Sequence, residues 1–102
     1  MNNLPATCSL GSRELAERVS QLERDLFSHS KEKRALENGI AHRFEASDDV
    51  KRDLFAFVEA ESSCCSFLEL ELKFAPGHGP IWLTITGPEH TLPFIRETFG
   101  DG

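Results

Sequence analysis

"FLELELKFAPGHGPIWLTIT", residues 67–86, contains two alternating runs separated by a Gly/Pro-rich connection. In the first run Leu68, Leu70, Leu72 and Phe74 share one phase, and Phe67, Glu69, Glu71 and Lys73 share the other. In the second, Ile81, Leu83 and Ile85 alternate with Trp82, Thr84 and Thr86. A period of two is the signature of strands with one buried face. With "APGHGP" as a six-residue connection, the two runs form a hairpin in which Phe74 faces Ile81, Leu72 faces Leu83 and Leu70 faces Ile85. A slip of one residue would turn that apolar face outward, so the register is strongly specified. On the other face Lys73 lies opposite Trp82. Phe67 and Trp82 stand on this mostly polar side, where the first helix or a partner subunit is expected to cover them.

Towards the N-terminus, "IAHRFEA" at 40–46 alternates after the turn signal "ENG" at 37–39, which predicts a strand. "SDD" at 47–49 offers a capping side chain and early negative charge to a second helix, with Val50, Leu54, Phe57 and Val58 on its apolar stripe. That helix should end near Cys64. Leu15, Val19, Leu22 and Leu26 place one apolar stripe on a first helix expected over 12–36, capped by Ser12 and carrying a Glu14–Arg18 pair. The stripe is too short for a coiled coil, so the helix docks on the domain or pairs with a second copy. "TGPE" opens a last helix with Pro88 at its first position and Leu92, Ile95 and Phe99 on the buried side. The order α-β-α-β-β-α, with a parallel crossover followed by a hairpin, predicts an α+β fold: a small three-stranded mixed sheet with helices packed on one face.

At 102 residues and 39% apolar content, the chain suits one domain: residues 1–11 as a segment carrying Cys8, then the first helix, then a core over 39–99. The net charge of −6 falls in residues 40–102, which hold five basic and eleven acidic side chains. Nucleic-acid binding needs clustered Lys and Arg, and none are clustered here. The chain has no apolar run of membrane-spanning length, and "MNNLPATCSLGSRELAERVSQ" lacks the basic and apolar regions of a signal peptide. The expectation is a cytoplasmic chain without a membrane partner.

The three cysteines are Cys8, Cys64 and Cys65, an odd number that suits thiols better than a disulfide framework. Neighbouring side chains diverge on a helix and oppose on a strand, so Cys64 and Cys65 converge only in a turn such as a helix-to-strand junction. A bridge within the pair would be strained, because adjacent Cα atoms lie about 3.8 Å apart against roughly 4.4–6.8 Å for ordinary bridges. The pair follows a helix C-terminus and Glu61, and both influences raise a thiol pKa and disfavour an unassisted nucleophile. A bound cation reverses that argument, since thiolates, helix end and carboxylate all favour positive charge. The absence of a C-x2-C pair points away from structural zinc and towards a soft ion such as Cu(I), Hg(II) or As(III). Cys64 and Cys65 are the candidate ligands, and Cys8 joins them if its segment folds back. Glu61 is expected to be a solvated helix-end carboxylate that supports them, and His42 a satisfied core histidine. No Ser-His-Asp spacing, P-loop or dinucleotide signature appears, which points away from an enzyme.

"CSL" at 8–10, "ENGIAHRFEA", "ESSCCSFLELEL" and "IWLTITGPE" span nearly the whole chain. Together they resemble a family of small bacterial proteins with a vicinal-cysteine, CCPFL-like signature. The resemblance implies a link to mercury and other heavy-metal resistance, in some members alongside or fused to metal-responsive regulators of the mercury type. Ser66 stands where that family typically has proline, and His42 where an apolar residue is usual.

Three readings follow. The first is a protein that binds a soft metal ion for detoxification, transfer or sensing. The second is a thiol redox or transfer enzyme that uses Cys64 or Cys65 as nucleophile and Glu61 for protons. The third is an interaction module that forms a homodimer through the first helix or the open sheet face.

Overall fold

The computed structural model describes residues 13–100. In chain order the elements are α1 (Arg13–Phe27), β1 (Glu32–Leu36), β2 (Gly39–Phe44), α2 (Asp48–Cys64), β3 (Glu69–Phe74), β4 (Ile81–Thr86) and α3 (Leu92–Ile95). A tight 3-10 turn at Glu89–Thr91 leads into α3, and a π-type turn at Arg96–Gly100 follows it. Cys8, the Ser12 cap and the Glu14 side chain of the expected pair with Arg18 lie outside the described residues and side chains.

The hairpin forms in the expected register: Phe74 opposes Ile81, Leu72 opposes Leu83, Leu70 opposes Ile85 and Lys73 opposes Trp82. Ala75 N–H to Pro80 O at 3.1 Å closes the connection, and Gly77 and His78 turn the chain with φ of 67° and 58°. Ile81, Leu83 and Ile85 are fully buried. Ser47 caps α2 by accepting from Val50 N–H at 3.1 Å, and Val50, Leu54 and Phe57 line its buried side.

The sheet has four strands in the order β1-β2-β4-β3, not three. The added strand is β1, cut from the C-terminal part of the stretch 12–36 that was expected to be helical. α1 stops at Phe27, where the apolar stripe runs out, and Lys31 N–H bonds Arg43 O at 2.7 Å to start the new ladder. Every hydrogen-bonded strand pair is antiparallel. β2 and β3 run in the same direction, as a crossover through α2 requires, but β4 lies between them. The parallel relation therefore joins strands that are not neighbours.

One face of the sheet is covered by helices. Leu26 of α1, Leu54 and Phe57 of α2, and Ile95 and Phe99 at the C-terminal end pack with Ile40, Phe44, Ile81, Leu83 and Ile85 in a single core. Phe27 is edge-on to Phe57, with ring centroids 5.4 Å apart. Phe67, expected on the open sheet face, instead meets Phe94 edge-on at 5.6 Å. Trp82 does stand on that face, half-buried. The Arg34 guanidinium lies over its ring at 4.5 Å, a cation–π contact.

The glycine of the "ENG" turn is required by space and not by φ. A Cβ at Gly39 would sit 1.9 Å from the Ile85 carbonyl oxygen and 2.8 Å from Thr86 Cα. Gly77 has open space around it and only its positive φ to satisfy. Gly39→Ala is therefore expected to destabilise by about 3 kcal/mol, the upper end for single substitutions, and Gly77→Ala by about 1 kcal/mol. Urea unfolding followed by Trp82 fluorescence measures both, and equal losses would contradict the close-approach argument.

Candidate functional site

Glu61 continues the apolar stripe of α2 at the same four-three-four spacing, after Val50, Leu54 and Phe57. It is therefore carried inward and is fully buried, not solvated as the sequence suggested. The helix ends three residues later, at Cys64. Cys65 leaves helical geometry at φ −118° and ψ 78°, and its N–H caps the last turn on the Glu61 carbonyl. Leu68 N–H then bonds Cys65 O at 3.0 Å, which turns the chain towards β3.

The junction separates the two cysteines by environment. Cys64, the last helical residue, is half-buried, whereas Cys65 has no exposed surface. Among the described residues Cys65 is disulfide-bonded and Cys64 is the free cysteine. Cys65 Sγ lies 3.3 Å from Glu61 Oε1. A bridged sulfur has no hydrogen to give. The contact is thus a hydrogen bond when a protonated Glu61 donates to sulfur or, after reduction, when the Cys65 thiol donates to the carboxyl oxygen.

A second carboxyl reaches this junction from α1. Glu23 hydrogen-bonds Glu61, and burial together with that neighbour pushes the Glu61 pKa up to about 9. Two carboxyl groups can hydrogen-bond only while one keeps its proton. The Cys64 thiol is also pushed up, first by burial and then by the charges of Glu61 and Glu23. Sequence reading missed Glu23, although it sits four residues after Val19 and four before Phe27, within the width of the buried stripe.

Among the described residues, no group of three or more His, Cys, Asp or Glu side chains is placed to hold a metal ion. A soft ion in two-coordinate thiolate ligation needs only a pair of sulfurs. Cys64 and Cys65 share the junction, with the sulfur of Cys65 engaged in a bridge.

His42, 3% exposed, belongs to a different neighbourhood. Its Nε2–H donates to Phe99 O at 2.6 Å, so Nδ1 is free to accept from the Ser30 hydroxyl at 2.8 Å. Its ring packs 4.6 Å from that of Phe27. Burial lowers its pKa despite the Phe99 bond. These contacts describe a neutral histidine that ties β2 to the chain's C-terminal end.

Set against protein-family models, curated proteins and solved structures, the chain matches none of them. What stands is two adjacent cysteines in a small α+β domain in which no described helix is long and apolar enough to cross a membrane.

The two buried groups give opposite pH dependences. Glu61 keeps in the fold a proton that the unfolded chain releases near 4.5, so its contribution is fully present below that pH and is lost as pH rises through about 9. His42 has a lowered pKa, so stability falls on acidification once the unfolded histidine takes up its proton, below about 6.5. Glu61→Gln is expected to flatten the decline between about 4.5 and about 9, and His42→Gln to remove the acid one. Urea midpoints measured across this range test both, and an unchanged slope towards pH 9 in Glu61→Gln would contradict the buried-proton assignment.

Proposed function

We propose that the reduced chain binds a soft thiophilic ion such as Hg(II), Cu(I) or As(III) through Cys64 and Cys65, with Cys8 as a candidate third ligand, in metal detoxification, transfer or sensing. The observation that carries this reading is the setting of the pair. The C-terminus of α2 and the hydrogen-bonded Glu61–Glu23 carboxyl pair converge on it, and both favour added positive charge. Burial, and after it the charges of Glu61 and Glu23, holds the Cys64 thiol above its usual range, which disfavours a free thiolate nucleophile and suits a thiol that releases its proton to solvent as a metal binds. The resemblance to the vicinal-cysteine family linked to mercury resistance points the same way. The bridge on Cys65 makes uptake depend on reduction.

A thiol redox or transfer activity is the second reading, and it is favoured by one observation: a free cysteine stands directly beside a bridged one. Native mass spectrometry of reduced protein with sub-stoichiometric Hg(II), Cu(I), Zn(II) and As(III) separates the two. Metal binding is expected to give selective one-to-one uptake that Cys64→Ser/Cys65→Ser abolishes. Uptake unchanged in the double variant, or lost to a small competing thiol in the wild type, would overturn it.

A further inference from the structure

The sheet has two edges, and they are guarded differently. β1 carries Glu32, Lys33 and Arg34, with Glu32 ion-paired to Arg34 at 3.0 Å and to Arg43 at 3.1 Å, and Lys33 bonded to Gly100 O. Charges fixed in this way blunt an edge strand. Among the described residues β3 pairs only with β4, and its outer flank has an exposed aromatic pair. Phe55 and Phe74 are 56% and 45% exposed, and their rings stack 6.1 Å apart at 21°. They are the large apolar side chains left exposed among the described residues.

We infer that this edge pairs with β3 of a second copy of the chain, joining two four-stranded sheets into one about a two-fold axis. The charges on β3 select the register. With the axis at Leu70, Glu69 would face Glu71 twice; at Glu71 or Lys73, that residue would face its own charge. With the axis at Leu72, each Glu71 faces the partner's Lys73, and no like charges are opposed. The same register puts Leu72 against its own copy and Phe74 against the partner's Leu70, so apolar and charged rows each meet their kind. The exposed face of Phe74, with Phe55 stacked beside it, then lies along the seam. A two-fold contact of this kind is isologous and closes at two copies. The surface is neither α1 nor the open sheet face, and the inference is independent of what the cysteines bind.

Sedimentation velocity from micromolar to millimolar protein, with a dithiol reductant present throughout, tests the contact. A concentration-dependent monomer–dimer equilibrium is expected. Lys73→Glu should weaken it about tenfold or more by placing two like-charge pairs across the seam. Glu71→Lys should do the same, and the Glu71→Lys/Lys73→Glu double variant should restore dimerisation because each pair is merely exchanged. Phe74→Gln, at a position that is already exposed, should also weaken it. Circular dichroism establishes that each variant is folded. Monomer at every concentration, association indifferent to Lys73→Glu, or failure of the double variant to recover would each overturn the inference.

Discussion

The structure depends on β4 being buried on one face and paired on both sides. Ile81, Leu83 and Ile85 have no exposed surface, and the strand between β2 and β3 leaves no freedom of register to either neighbour. Its backbone runs so close to β2 that only glycine fits at position 39. The helices then have one apolar surface to cover, and α1, α2 and the C-terminal turns all settle there. On the other face the Arg34 guanidinium lies over the Trp82 ring. α2 must cross over that buried surface to link β2 to β3, so its last turn meets the core at Glu61, turns outward at Cys64 and is buried again at Cys65. The site is where a covered helix becomes a strand.

The hairpin was legible because its two strands alternate strictly and burial rewards only one phase. α2 was legible through its Ser47 cap and its apolar spacing. β1 was not. An edge strand with exposed charges on both sides has no apolar period to read, and "EKRAL" looks as helical as the residues before it. The turn signal at 37–39 was the available clue, although the chain turns at Glu37 and Asn38 and Gly39 already pairs with Leu36. Reading it as a hairpin turn would have demanded a strand on its N-terminal side. The position of β4 between β2 and β3 was beyond pattern reading, because alternation shows which face is buried and not which strand is next.

At the site, the sequence placed the adjacent cysteines at the junction and anticipated that their surroundings would hinder ionisation. It did not anticipate that burial would be the leading cause for Cys64, nor that Glu61 would be inside. Spacing alone contained that information: Val50, Leu54, Phe57 and Glu61 fall on one stripe, and a charged residue on a stripe is a candidate for burial. Glu23 is the same case on α1. The two acids meet at the junction, where burial and the Glu23 neighbour favour the protonated form of Glu61. The difference between Cys64 and Cys65, one free and half-exposed, the other bridged and enclosed, arises from the single backbone turn between them and has no counterpart in the sequence pattern.

The proposed metal site depends on a junction that suppresses the free thiolate at Cys64. The most direct measurement is the rate of Cys64 alkylation as a function of pH, resolved from the other cysteines by peptide mass mapping. The expected result is an apparent pKa above the ordinary thiol value of about 8.5. A value below it would show an activated thiolate, contradict the account, and move the site from ion binding to thiol exchange.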